Sequence, residues 1–208
     1  GEPGPLYWQQ KADYKIKIRL DEKSRSVKGS EAITYTNNSP LKLNYIWLQL
    51  DQNIFDESSI NNLTRPWWGG SKSIDFSTLR RQNFMDNFDG GFQELDIKIN
   101  GEPADINLVG THVRINLEEP INTGESTEII IDWAYALVEE NAVRARNGYE
   151  TFEDGNDIFL LAQWYPRVTV FSDYEGWHNK EFVGRGEFTL EFGDFEVDIT
   201  VPEDHIVA

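Results

Sequence analysis

Apolar and polar residues alternate with a period of two along most of the chain, which is typical of half-buried β-strands. In residues 14–20 every second residue is apolar and the residues between them are cationic. Residues 27–36 repeat the pattern, with Ile33 and Tyr35 on one face. Residues 43–50 are more apolar, so this third strand is expected to be buried on both sides.

The second half of the chain continues the alternation. Asn100-Gly101 follows the strand predicted at residues 94–99 and is the strongest short hairpin signal in the sequence. A final hairpin is expected to turn at Gly193-Asp194. The other predicted strands cover residues 106–108, 113–117, 129–135, 159–165, 188–192 and 195–201.

Residues 51–89 break the alternation. Residues 65–70 mix two tryptophans with proline and glycine, which favours irregular structure. Residues 77–85 could form a short helix anchored by Leu79 and Phe84. Many short strands separated by turn signals therefore predict an all-β chain: a twisted multi-stranded sandwich or saddle-like double sheet, with at most a short helix, in one domain over residues 1–208.

Composition narrows the functions that this chain can have. The 208 residues include 19 basic and 36 acidic side chains, a net charge of −17 that repels nucleic acid. Cysteine is absent, which excludes disulfides and thiol nucleophiles. No apolar run is long enough for a membrane span. No signal peptide is visible, but residues 1–5 resemble a trimmed or engineered start from which one could have been removed. Residues 201–208 are strand-like up to Ala208, which indicates a boundary inside a longer protein.

Catalytic signatures are missing from the sequence. A zinc peptidase of the HExxH type needs two histidines one helical turn apart, and His112, His178 and His205 do not have that spacing. Each histidine is expected to be a surface or satisfied loop residue. Adjacent carboxylates such as Glu118-Glu119 and Glu139-Glu140 are compatible with the carboxylate pair of a glycosidase, but nothing in the sequence selects one pair over another. We predict no catalytic residue and no metal ligand in this chain.

The most unusual segment is Ala162-Gln163-Trp164-Tyr165-Pro166-Arg167, which follows an apolar strand. Residues 171–178 after it are again rich in polar and aromatic side chains. Such residues at the end of a strand are typical of a binding loop on a rigid sheet. A packed aromatic corner at the sheet edge is the alternative.

Blocks spread over nearly the whole chain resemble the start of bacterial M1-family metallopeptidases. The blocks are residues 7–14, 33–40, 48–53, 162–166, 184–188 and 192–207. The resemblance implies a saddle-like, all-β N-terminal domain beside a thermolysin-like domain that carries the HExxH zinc site. That catalytic domain would follow Ala208. The chain itself would then hold no zinc and have no activity; its partners would be the catalytic domain and a peptide substrate.

The same resemblance points to candidate site residues. The family motif Thr/Ser-Gln-Phe-Glu-Pro helps to bind the N-terminal residue of the substrate, and Gln163, Trp164 and Pro166 match its Gln, aromatic and Pro. Tyr165 stands where the family has Glu, and a neutral phenol can hydrogen-bond to a peptide ammonium but not pair with its charge. Asp173 in the following loop could supply that charge.

Two other hypotheses stay open. A stand-alone β-sandwich module could bind carbohydrate or a protein ligand, with Trp67, Trp68, Trp164 and Trp177 exposed to stack on sugar rings. A structural domain would use the same aromatic residues as core and bind nothing. The compartment is undetermined, and a periplasmic or secreted location would require a removed signal peptide.

Overall fold

The computed structural model describes residue 4 and residues 6–64, 73–143, 147–184 and 189–208. The expectations for Trp67, Trp68 and Phe188 lie outside these residues. The strands are β1 (Lys11–Asp21), β2 (Ser26–Thr36), β3 (Leu43–Gln49), β4 (Phe92–Ile99), β5 (Glu102–Pro103), β6 (Asp105–Val109), β7 (His112–Ile121), β8 (Ser126–Ala136), β9 (Gly148–Thr151), β10 (Asp157–Leu160), β11 (Arg167–Val168), β12 (Phe171–Ser172), β13 (Gly176–Trp177) and β14 (Phe195–Thr200). The helices are α1 (Ile60–Thr64), α2 (Phe76–Met85) and α3 (Glu140–Val143), and a 3₁₀ turn covers Asp51–Phe55.

Two sheets make up most of the fold. The larger has the strand order β14-β1-β2-β8-β4-β5, and the smaller has the order β11-β3-β7-β6. Strands β9 with β10 and β12 with β13 form two separate hairpins. This architecture agrees with the predicted all-β sandwich-like fold, and no described helix is long and apolar enough to cross a bilayer.

The core lies between the inner faces of the two sheets, whose buried residues form one cluster. Period-two alternation explains it, because every second side chain of β1, β2 and β8 points inwards. Trp133 on β8 is completely buried and lies against Gly29 on β2, where an added Cβ would be 2.2 Å from the indole ring. Close packing at this point therefore requires glycine.

The hairpin predicted around Asn100-Gly101 is confirmed, since β4 pairs antiparallel with β5 across it. The hairpin predicted at Gly193-Asp194 is wrong. Strand β14 instead pairs parallel with β1, and Ala12 and Tyr14 donate their backbone N–H groups to the carbonyls of Phe192 and Asp194. Gly193 permits this course, because an added Cβ would lie 1.7 Å from the carbonyl oxygen of Ala12.

One strand boundary differs from the expectation, whereas the predicted helix is present. The strand predicted over residues 159–165 ends at Leu160, and the residues after it are irregular. The helix predicted over residues 77–85 is confirmed as α2, and Asp75 caps it by accepting a hydrogen bond from the Thr78 amide at 2.7 Å. Leu79 does not anchor this helix, because 46% of its surface is exposed. Phe84 stacks on Phe88.

Candidate functional site

Gln163 lies in the irregular segment that follows β10. Its backbone has a φ of 52°, a left-handed conformation that is unusual for a residue with a side chain. Gln52 stabilises it, because its Nε2 donates to the carbonyl oxygens of Ala162 at 3.2 Å and Gln163 at 3.0 Å. Asn147 Nδ2 in turn donates to Gln52 Oε1 at 2.6 Å. This buried amide chain holds Gln163 in a conformation that a free loop would rarely adopt.

The Gln163 side chain lines a cavity of about 630 Å³. The 3₁₀ turn, α1, α2 and residues 182–184 form other parts of its wall. Among the described residues, the side-chain amide of Gln163 has no hydrogen-bond partner, so its two N–H donors and its carbonyl oxygen remain available to a ligand. Asn61, Asn62 and Asn147 add further amides to the wall. Amide groups next to apolar surface suit a polar ligand such as a peptide.

Tyr165 is placed differently from Gln163. Its ring is half-buried and packs against Trp164, Tyr14 and Phe195, with centroid distances of 4.8, 5.6 and 6.2 Å, and it does not line the cavity. Burial raises the pKa of the phenol, with Arg167 opposing the shift. Tyr165 therefore packs on the inner side of the segment, while Gln163 lines the cavity.

Asp173 is not brought together with Gln163. It is exposed in the turn between β12 and β13 and does not line the cavity. This hairpin packs beside the start of β3, where Trp177 lies 6.3 Å from the Tyr45 ring. Gln163 lies beyond the other end of β3, next to Gln52. Among the described residues that line the cavity, the acid is Asp51, which sequence reasoning missed.

Asp51 belongs to a buried row of charged and polar side chains. Its Oδ2 lies 2.6 Å from Nη2 of Arg167, and burial raises its pKa to about 6 against the opposing effect of that cation. Gln49 pairs with Arg167 on one side and with His112 on the other. His112 was expected in a loop or at the surface, and that expectation is wrong: it is a buried strand residue whose pKa is lowered to about 4, mainly by burial and further by Arg167.

Another buried carboxyl lies in the larger sheet. Glu31 on β2 is 2% exposed, faces the core, and stands across from Ile16 on β1 and Ile131 on β8. Neither of its oxygens has a hydrogen-bond partner in the described part of the chain. Burial raises its pKa well above the ordinary value. Burial without a partner therefore favours the neutral form of this carboxyl.

The remaining histidines have local partners. The His178 ring nitrogen Nε2 lies 2.8 Å from Ser172 Oγ. His205 Nδ1 lies 3.1 Å from Asp204, and one atom each of Glu22, Asp204 and His205 come within 4.8 Å of one another. These three are spaced closely enough to hold an ion, but exposed acidic groups often lie this close without one.

Trp164 and Trp177 are half-buried, so the expectation that they are exposed is wrong. Trp164 packs on Trp133 with the ring centroids 6.1 Å apart, and Trp177 packs on Phe171 at 4.9 Å. Both indole rings therefore pack partly against the hydrophobic core. The described structure therefore offers no flat aromatic platform at these two positions.

Comparison with known proteins gives matches at the level of structure. No protein-family model matches the chain, and no curated protein sequence is detectably similar to it. Among solved structures, an M1 zinc metallopeptidase from Deinococcus radiodurans is similar with a TM-score of 0.45 and 13% identity. A mutant of that enzyme bound to a Tyr-Ser-Ala substrate gives a TM-score of 0.46 at 13% identity. The match covers 94% of this chain and 33% of the first structure, so the chain spans about a third of that protein.

Proposed function

We propose that this chain is the accessory N-terminal domain of an M1-family zinc metallopeptidase with aminopeptidase activity. The observation that carries the proposal is Gln163, which occupies a family-like sequence block and lines a cavity of about 630 Å³, and whose side-chain amide has no hydrogen-bond partner among the described residues. A rigid buried network holds its backbone, as a substrate-positioning residue requires. In this role the domain forms one wall of the peptide cleft.

The zinc and the catalytic groups would belong to the neighbouring domain, because the sequence has no HExxH motif. The metal would supply Lewis-acid chemistry there. This chain would contribute binding alone: the Gln163 amide can donate to a peptide carbonyl and accept from a peptide N–H. Tyr165 would act behind it as support, since its ring packs inwards.

An exposed apolar strip on the larger sheet supports a packing role. Phe195, Val197 and Ile199 on β14 are 48%, 38% and 49% exposed, although they share the face that is buried on β1. Phe192, just before them, is 70% exposed. A run of apolar side chains along an edge strand is typical of a surface that contacts another domain.

The first test is the mass of the natural protein in its source cells, detected with an antibody raised against this chain. A band far above 24.0 kDa is expected, since a catalytic domain would more than double the chain. A band near 24.0 kDa would contradict the proposal and make a stand-alone binding module the working hypothesis.

The second test uses Gln163→Ala in that natural protein, with peptides that differ in their N-terminal residue. Loss of one or two hydrogen bonds is expected to lower kcat/KM by about 5- to 50-fold. Gln93→Ala is the matched control, because Gln93 is exposed on β4 and does not line the cavity. Equal kinetics for the two variants would remove Gln163 from the site.

A further inference from the structure

Residues 182–184 form a wall of the cavity and are attached to the turn between β6 and β7. The Thr111 amide donates to both carboxylate oxygens of Glu181, at 3.2 and 3.1 Å. The Phe182 amide donates to Thr111 Oγ1 at 2.9 Å. Glu181, which directly precedes the wall, and Phe182, its first residue, are therefore both bonded to Thr111, and hydrogen bonds to a charged acceptor are the stronger kind.

The turn is built to accept the Glu181 carboxylate. Gly110 has a φ of 55°, and a Cβ at this position would lie 2.4 Å from Oε2 of Glu181. Thr111 is completely buried, so its amide has no access to water as an alternative acceptor. The carboxylate thus satisfies a buried donor at a place where only glycine leaves room for it.

The same turn is bonded to the floor of the cavity. The Gly110 carbonyl accepts from Asn53 Nδ2 at 3.2 Å, and the Thr111 carbonyl accepts from the Leu50 amide at 2.8 Å. Leu50 and Asn53 flank Asp51 and Gln52, which line the cavity. The turn therefore joins the wall at residues 182–184 to the segment that holds Gln163.

We propose that Glu181 is a positioning residue for the cavity, which fixes residues 182–184 through the buried Thr111 amide and so sets the width of the cleft beside Gln163. Glu181 itself does not line the cavity, so it acts through Phe182 and Gly184. Phe182 is 8% exposed, and Gly184 leaves 3.3 Å between an added Cβ and Ile54. That the cavity binds a ligand rests on the proposed function. That Glu181 fixes the position of residues 182–184 does not depend on it.

Removing the carboxylate would leave the Thr111 amide buried without an acceptor. The chain can restore a partner only by moving the turn or the wall, or by admitting water. Glu181→Ala should therefore release residues 182–184, whereas Glu181→Gln keeps one acceptor oxygen and should preserve much of the original position. A residue that supported only overall folding would not be rescued in this way.

The experiment measures the width of the cavity in the 208-residue chain without any ligand. Because the sequence has no cysteine, Asn61→Cys and Val183→Cys place one spin label on α1 and one on the wall segment 182–184, both of which line the cavity. Double electron–electron resonance spectroscopy then gives the distribution of distances between the two labels. Hydrogen exchange at the Thr111 and Phe182 amides, measured by NMR in the unlabelled chain, gives an independent readout.

Glu181→Ala is expected to broaden the distance distribution and to speed exchange at both amides at least about tenfold. Glu181→Gln should lie close to the parent. Glu175→Ala is the matched control, because Glu175 pairs with Lys180 in the preceding loop and does not bond to the turn. Gly110→Ala displaces the carboxylate without removing it and should cause the same broadening and faster exchange as Glu181→Ala. It replaces Glu181→Ala in the experiment if that variant does not fold.

An unchanged distance distribution and unchanged exchange in both Glu181→Ala and Gly110→Ala would overturn the proposal. So would equal broadening in Glu175→Ala. The readouts need no substrate, so they separate this inference from the proposed function: Gln163→Ala kinetics can fail while the Glu181 effect stands, and the reverse also holds.

Discussion

Nη2 of Arg167 lies 2.6 Å from Oδ2 of Asp51, and both side chains are almost completely buried. The strand pairing of the smaller sheet places His112 in the same row, one strand beyond Gln49. The cation shifts the pKa of each neighbour downwards, while burial acts in opposite directions on an acid and on a base. Stability in mild acid should therefore depend on two opposing groups.

His112→Gln tests one of these groups. The pKa of His112 falls from 6.5 to about 4 in the folded state, so between these values the unfolded chain binds more protons and stability rises with pH. The pKa of Asp51 rises from 3.8 to about 6, which makes stability fall with pH over nearly the same range. The two effects nearly cancel in the parent chain.

In His112→Gln, the fall in stability with rising pH that Asp51 causes should no longer be offset by His112. Relative to the parent, the unfolding free energy of His112→Gln should fall by about 3 kcal/mol between pH 4 and pH 6.5. Urea unfolding at half-unit pH steps measures this difference, and His178→Gln provides a histidine control near the surface. Parallel curves for His112→Gln and the parent would show that His112 is not held neutral in the folded state.

Glu31→Gln tests the unpartnered carboxyl of the larger sheet. Burial raises the pKa of Glu31, so the folded chain keeps this proton to higher pH than the unfolded chain. Below the ordinary pKa of 4.5 the contribution of Glu31 to the unfolding free energy does not vary with pH. As the pH rises above 4.5, this contribution becomes less favourable. A neutral amide removes this penalty.

We therefore expect Glu31→Gln to unfold at higher urea concentration than the parent at pH 8, with a gain of about 1–3 kcal/mol, and to differ little at pH 4. Glu128→Gln, on the exposed face of β8, should change stability by less than about 0.5 kcal/mol at both pH values. A loss of stability at pH 8 would mean that the Glu31 carboxylate has a favourable partner.

Much of the fold follows from the alternation of apolar residues, since β1, β2 and β8 each bury one face, and a period of two is then visible in the sequence. The pairing of β14 with β1 could not be predicted from this alternation. A Gly-Asp pair between two apolar segments favours a hairpin by local criteria. The parallel ladder between β14 and β1, which brings Gly193 close to Ala12, is a tertiary feature that local criteria do not reveal.

The residues around the candidate site could be predicted only in part. Gln163 is proposed from its sequence block, but Gln52 and Asn147, which hold its backbone, lie about a hundred residues apart and no local pattern links them. The polar run Asp51-Gln52-Asn53 directly after an apolar strand was the available signal. Buried amide networks between distant segments are a property of the folded chain, so sequence periodicity does not reveal them.

Gly29→Ala tests the contact with Trp133. A Cβ at Gly29 would lie 2.2 Å from the fully buried indole ring, which cannot move without disturbing the core. We expect a loss of about 3 kcal/mol or more in unfolding free energy. Gly124→Ala is the matched control: its φ is 81° but no atom lies within 4 Å of an added Cβ, so only backbone strain of about 1 kcal/mol is expected. Similar losses in both variants would argue against close packing at Gly29.

Gln163→Gly separates the backbone of the site from its side chain. A left-handed conformation at φ 52° costs a residue with a Cβ about 1 kcal/mol, and glycine removes that cost. Because the Gln163 amide has no partner among the described residues, its deletion should cost the fold little. The variant is expected to be as stable as the parent, or more stable by up to about 1 kcal/mol, in thermal or urea unfolding.

The neighbouring change Ala162→Gly should instead lower stability by about 0.5–1 kcal/mol, because Ala162 has no positive φ to relieve. A stable Gln163→Gly variant with weakened peptide kinetics in the natural protein would mean that the strained glutamine is kept for binding. If Gln163→Gly proves clearly less stable than the parent, the side chain supports the fold, and its unpaired amide no longer argues for a ligand.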